Sequence, residues 1–369
     1  MRSCTYGEVS RGVILKQGNY VNRVIRVLVV DDSAYVRKVV REMLSQSPFI
    51  EVVGVARDGV EALHLVETLR PDVVASDLMM PELDGVGFVR EQMSRRPLPI
   101  LMMSSVDEKS ADTLSALDAG AFDFVQKPTA LATERMFEMR DQLIEKIKAA
   151  AIIHPENLQS VVVNEQKLDG KHRVAGGRKR SFDIIVIGIS TGGPQALRYL
   201  IPQLPADFPI PIAVVLHMPV GYTTMYAERL NELSSIEFKE ARDGDEVRPG
   251  LALLAPAGRH LQFKGRPGGS IVSQLSLRPT DVPHRPSVDT LFQSAAEVYD
   301  SHTLGIVMTG MGSDGKAGAA WIKARGGTIY TESEETCVVY GMPNAIVEAG
   351  LSDKIIRLDQ MAHSILEVA

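Results

Sequence analysis

Twice along this chain, short β-branched runs alternate with amphipathic stretches, and no other feature constrains the fold as much. In the first block the strand-like runs are Ile25–Val30, Ile50–Ala56, Val73–Ser76, Ile100–Ser104 and Phe122–Val125. Helical patterns fall between and after them, at 34–46, 59–69, 84–94, 110–119 and 130–149. The second block repeats the scheme, with strands near 183–189, 211–217, 251–255, 304–309 and 327–331. Its helices fall near 194–202, 222–232, 288–299, 315–325 and 358–368. Parallel strands need a crossover of about a dozen residues, which a helix supplies. Each block therefore predicts an α/β fold in which helices cover both faces of a mainly parallel, doubly wound sheet.

Between the blocks the periodicity fails. Residues 167–180 carry six Lys or Arg, one Asp and three Gly, a composition that cannot bury a core and predicts a linker. The full 369 residues exceed one ordinary core. The expected organisation is a disordered leader at 1–23, a first domain at 24–148, a linker at 149–181 and a second domain at 182–369. A formal charge of −6 argues against nucleic acid as the main partner. Cys4 and Cys337 cannot form a disulfide framework, which points to a reducing cytoplasm. No apolar run approaches the roughly 20 residues of a membrane span, and the leader lacks the apolar core of a signal peptide.

Two sets of residues carry chemistry. In the first block, Asp31 and Asp32 end strand one and Asp77 ends strand three; Ser104 ends strand four and Lys127 follows strand five. Carboxyl ends of neighbouring parallel strands converge on one crevice, where ligands bind. Carboxylates with room for water suit Mg²⁺. Any one of these aspartates alone reads as a helix cap; together, at successive strand ends, they read as a site.

In the second block, the apolar run Ile184–Ile189 leads into Ser190-Thr191-Gly192-Gly193-Pro194, a G-x-S-x-G pattern passing into a helix. A tight strand-to-helix turn of this kind lifts the hydroxyl clear of the sheet. The serine needs a base, and the base needs an orienting carboxylate. His217 and Asp314 each follow an apolar run, so one crevice can hold all three. The order Ser…His…Asp differs from that of the α/β-hydrolases, so the motif does not license that fold. A degenerate dinucleotide fingerprint is the competing reading, but it wants an acid where His217 stands. The remaining histidines lack a comparable setting, although His260 and His284 lie in loops of the same domain.

Residues 24–148 resemble the response-regulator receiver domain, which implies a flavodoxin-like (βα)5 fold. That resemblance implies Asp77 as phosphoacceptor. Asp32, Asp77 and the Met79 carbonyl would be Mg²⁺ ligands, with Asp31 assisting through water. Ser104 and Lys127 would contact the phosphoryl group, and Phe124 would be the aromatic switch. Residues 182–351 resemble the catalytic domain of the chemotaxis protein-glutamate methylesterase (CheB) family. The resemblance rests on Gly-Ile-Ser-Thr-Gly-Gly-Pro, Leu-His-Met-Pro, Arg285-Pro286-Ser287-Val288-Asp289, Leu-Gly-Ile-Val-Met-Thr-Gly-Met-Gly-Ser-Asp-Gly and Val338-Val339-Tyr340-Gly341-Met342-Pro343. It implies Ser190 as nucleophile, His217 as base and acid, and Asp314 as its orienter. Thr191, Gly192 and Met311 would be oxyanion or substrate contacts, and ester hydrolysis would need no cofactor. A histidine kinase would be the phosphodonor and methyl-accepting chemoreceptors the substrate, with receptor glutamine deamidation a second activity. Phosphorylation would relieve a block by the receiver. A module that only binds receptors, and a receiver-coupled transcription factor, are the other readings.

Overall fold

The computed structural model describes residues 23–105, 110–127, 133–151, 153 and 182–369. The expected leader up to residue 22, the start of the fifth helix at 130–132 and most of the basic linker lie outside the described residues.

The first domain folds as β1 (Ile25–Val30), α1 (Ala34–Leu44), β2 (Ile50–Ala56), α2 (Gly59–Leu69), β3 (Val73–Asp77), α3 (Gly85–Arg95), β4 (Ile100–Ser105), α4 (Ser110–Asp118), β5 (Asp123–Lys127) and α5 (Thr133–Ala150). Its five strands run parallel in the order β2-β1-β3-β4-β5. Because both faces are covered, β3 is buried at every position. Side chains of Ser33, Asp58 and Asp84 accept from N–H groups in the first turns of α1, α2 and α3, caps that stabilise a helix by about 1 kcal/mol each. The fifth helix runs to Ala150, and Ala149, Ala150 and Ile153 are buried. The folded part therefore extends past the boundary expected at 148.

The second domain contains β6 (Ile184–Ile189), α6 (Gly193–Leu200), β7 (Ile212–Leu216), α7 (Thr223–Leu233), β8 (Glu237–Glu240), β9 (Leu251–Leu254), β10 (His260–Gly265) and β11 (Ile271–Ser276). It continues with α8 (Val288–Tyr299), β12 (Thr303–Val307), α9 (Lys316–Ala324), β13 (Thr328–Glu332), α10 (Met342–Glu348), β14 (Lys354–Ile356) and α11 (Leu358–Leu366). Seven parallel strands take the order β14-β13-β12-β6-β7-β9-β8. An antiparallel hairpin, β10–β11, stands apart.

Period-two alternation sorts β6 between two layers. Ile184 and Val186 pack with α8 and α9, whereas Ile185, Ile187 and Ile189 join an apolar cluster continuous with the core of the first domain.

In each sheet the chain begins in the middle and builds outward in both directions, so a switch point lies beside the first strand. In the first sheet it falls between β1 and β3; in the second, β6 lies between β7 and β12. Ligands of open α/β sheets bind at the carboxyl edge of such points.

Candidate functional site

Ser190, His217 and Asp314 all leave the carboxyl edge of the second sheet. Ile189 pairs with Leu216 across β6 and β7, so Ser190 and His217 occupy adjacent positions just past the strand ends. The His217 N–H donates to Ile189 O at 3.2 Å, and the Ser190 N–H donates to Thr309 O at 3.0 Å. Gly192 holds φ +78° to turn the chain into α6, a conformation that costs glycine little. Gly310 is required by crowding: a Cβ there would sit 2.9 Å from the Cβ of Ser190.

His217 Nε2 donates to Asp314 Oδ2 at 2.9 Å, since an ionised carboxylate only accepts. That leaves Nδ1 as the ring nitrogen available to the serine. Among the described residues no hydrogen bond joins Ser190 Oγ to the ring in this state. The structure thus brings the serine and the imidazole to neighbouring strand ends and closes the imidazole–carboxylate bond.

Asp314 is held by more than the imidazole. It also accepts from the Ser287 hydroxyl (3.0 Å), the Val288 N–H (2.8 Å) and the Asp289 N–H (3.0 Å), so it caps the first turn of α8. Burial acts to raise its pKa, but the His217 bond and these amides outweigh it and hold the carboxyl well below the usual range. Asp289 returns the favour at α9, accepting from Gly315 N–H and Gly318 N–H at 2.9 and 2.7 Å. Thr191 is buried, Gly192 precedes α6 and Met311 is half-buried. Neither the Gly192 nor the Met311 N–H is engaged by another described residue.

The aspartates also converge. Carboxylate oxygens of Asp31, Asp32 and Asp77 all lie within 4.8 Å of one another. Lys127 Nζ bridges two of them, 2.8 Å from Asp31 and 2.5 Å from Asp77. Burial works against the lysine's charge, but the two carboxylates prevail and raise its pKa. An all-oxygen set of this charge fits a small hard divalent cation that keeps some of its waters.

The first domain packs against the second close to both sites. Ser104 Oγ lies 3.0 Å from the hydroxyl of Tyr222, and Thr113 donates to Ser104 at 2.9 Å. The Phe124 ring packs against the same tyrosine, tilted by 44°, at 4.7 Å between centroids. Asp118, at the end of α4, pairs with Arg198 of α6 and Arg229 of α7. The Gln195 amide donates to Ala121 O. Burial pushes the Asp118 carboxyl above its ordinary value even though both guanidiniums pull it down. The helices engaged by the first domain are those that follow the Ser190 and His217 turns.

Sequence reasoning passed over several residues that stand at the site. His284 stacks on His217, 4.3 Å between centroids at 25°; burial, then the neighbouring His217, lowers its pKa. His260 Nδ1 accepts from Ser287 N–H at 3.2 Å. The expectation that neither histidine has a comparable setting is corrected: His284 lies on the imidazole, and His260, which opens β10 rather than lying in a loop, braces the Asp314 cap. Nothing in their spacing signals this, because one contact forms with the residue that follows β7 and the other between the start of β10 and the residue before α8. Tyr222 was likewise silent, an aromatic at a helix start with no periodic role.

Profiles of known families match both halves: CheB methylesterase over residues 185–365 and response regulator receiver domain over residues 27–138. A Myxococcus xanthus protein named protein-glutamate methylesterase/protein-glutamine glutaminase 5 is 47% identical over 342 residues, covering 91% of this chain and 96% of that protein. A Thermotoga maritima protein named protein-glutamate methylesterase/protein-glutamine glutaminase is 40% identical over 348 residues, covering 94% and 99% respectively. The crystal structure of the Thermotoga maritima CheB methylesterase catalytic domain matches at 43% identity and a TM-score of 0.50, covering 51% of this chain and all of that domain.

Proposed function

Since the chain belongs to the CheB methylesterase family and carries a response regulator receiver domain ahead of the catalytic one, we propose that it hydrolyses glutamate γ-methyl esters on chemoreceptors under control of phosphorylation at Asp77. The observation that carries this reading is the His217–Asp314 bond beside Ser190 at the switch point of the second sheet. Ser190 Oγ attacks the ester carbonyl as His217 Nδ1 takes its proton. The oxyanion is met by the N–H groups of Gly192 and Met311, with Thr191 shaping the turn. His217 returns the proton to the methoxy group and methanol leaves. Water, deprotonated by the same imidazole, then cleaves the acyl-enzyme to the glutamate carboxylate. A glutamine side chain follows the same path with ammonia leaving. No helix among the described residues is long and apolar enough to cross a membrane; the enzyme acts in the cytoplasm on the receptor's cytoplasmic helices.

Control begins at the aspartates. A histidine kinase supplies the phosphoryl group to Asp77. Mg²⁺, held by Asp32, Asp77 and the Met79 carbonyl with Asp31 through water, would neutralise charge there. Lys127, which bridges Asp31 and Asp77, would pair with the phosphoryl oxygens. Ser104 is the hydroxyl that would turn to them, and here it bonds Tyr222 instead. Phosphorylation adds roughly −1.5 to −2 charges. Drawing Ser104 toward that charge breaks its bond to Tyr222 and frees Phe124 to follow, which loosens the receiver from the start of α7. The two-state element is therefore the domain interface.

The experiment is methanol release from methylated receptor, with and without a small-molecule phosphodonor and Mg²⁺. Stimulation by the phosphodonor supports the reading, and release of no methanol under either condition rejects it. Asp118→Ala should raise the unphosphorylated rate. Losing a partly exposed double ion pair of about 1 kcal/mol shifts the interface equilibrium by about fivefold. A basal rate that stays level in a folded variant removes Asp118 from the latch.

A further inference from the structure

Glu332 ends β13 with no part of its side chain exposed, and the hydrolysis as described above makes no use of it. Its Oε2 accepts from the Thr309 N–H at 2.9 Å and its Oε1 from the Thr336 hydroxyl at 3.0 Å. The Cys337 thiol hydrogen-bonds it as well. Thr309 in turn is tied to the serine turn twice. Its carbonyl accepts from the Ser190 N–H at 3.0 Å, and its hydroxyl donates to Thr191 O at 2.9 Å. The same hydroxyl accepts from the Val339 N–H at 3.0 Å, next to Val338, which crowds Gly192.

We propose that Glu332 is a positioning residue for ester hydrolysis, holding Thr309 so that Thr309 holds the turn carrying Ser190 and Thr191; the inference rests on Ser190 being the nucleophile. Thr309 lies beyond the last paired residue of β12, Val307, where the neighbouring strand offers its N–H no carbonyl. The Glu332 side chain supplies the missing acceptor. A buried carboxyl is costly to keep where an apolar side chain can fill the space, so its place here is explained by the donor it satisfies. Burial raises its pKa to about 7, and the Thr309, Thr336 and Cys337 bonds pull the other way. Charged or neutral, the group offers the Thr309 N–H an oxygen.

The test uses the full chain activated by phosphodonor, with Glu332→Ala, Glu332→Gln, Thr309→Val and Ser190→Ala assayed side by side for kcat and KM. Thermal unfolding sets the folded fraction of each. Glu332→Ala should lower kcat about tenfold or more while KM stays within about twofold, since small displacements of a nucleophile are costly to rate. Glu332→Gln should restore kcat to within about twofold, because its amide oxygen accepts as the carboxyl does. Thr309→Val, which removes the hydroxyl's links to Thr191 O and to the Val339 N–H, should lower kcat in the same way and decides the matter if Glu332→Ala does not fold. Wild-type kcat in folded Glu332→Ala, or in Thr309→Val, overturns the proposal. Continued hydrolysis by Ser190→Ala instead overturns the nucleophile assignment beneath it, so the two failures are separable.

Discussion

Ser190→Ala should abolish methanol release from methylated receptor, lowering kcat by a factor on the order of 10⁴ or more while the protein keeps its fold. Nothing in the packing depends on the hydroxyl: it makes no hydrogen bond among the described residues, and the turn is held by backbone groups of Ser190, Thr309 and Gly193. Stability should therefore change little, and the unfolding temperature provides the control. Receptor binding and phosphorylation of Asp77 should persist, which separates loss of chemistry from loss of the switch. Residual hydrolysis near the wild-type rate would mean that another group attacks the ester.

Asp314→Asn carries the second large effect, a fall in kcat of about 10³- to 10⁴-fold, judged by the cost of the same change in a serine protease. Here the physical reason is sharper than the loss of one charge. Asp314 accepts four hydrogen bonds, from the His217 ring, the Ser287 hydroxyl and two backbone amides of α8. An asparagine must turn its NH₂ toward some of these donors. If the amide nitrogen faces the α8 cap, N–H meets N–H and the helix start is destabilised by about 1–3 kcal/mol. If it faces His217 it also meets the Val288 N–H, and the ring must change tautomer and present its unprotonated nitrogen to the amide, leaving a protonated Nδ1 toward Ser190 that cannot act as base. The expected signature is a lowered unfolding temperature together with the loss of rate. A variant with intact kcat would show that Asp314 serves α8 alone.

How far the sequence foretold this depends on the element. Strands buried on both faces, such as β3, β6, β7 and β12, read as continuous apolar runs, and strand ends of this kind, with that of β1, put the three aspartates and the proposed catalytic trio at two sheet edges. What escaped was short, charged or antiparallel. The edge strand Glu237–Glu240 buries only Phe238, and its charges, which suit an exposed edge, hide the strand pattern. The three residues of β14 close the opposite edge, and the β10–β11 hairpin adds to neither sheet. At the site, Asp314 was visible because it follows an apolar run. Its double duty as the α8 cap was not, since capping by a residue 26 positions away leaves no local spacing. The same holds for Glu332, which looks from sequence like one more acid in an acidic loop, and for Tyr222, whose meaning lies in the domain it touches.

Ser190, His217 and Asp314 are proposed to form one proton relay that the receiver restrains. It is tested most directly by a crystal structure of the full chain with Asp77 carrying a beryllofluoride phosphoryl mimic and Mg²⁺. Ser190 Oγ should then lie about 3 Å from His217 Nδ1, with the His217–Asp314 bond retained and Ser104 turned from Tyr222 to the mimic. An imidazole swung away from the serine in that activated state, beyond the reach of every Ser190 rotamer, would contradict the relay.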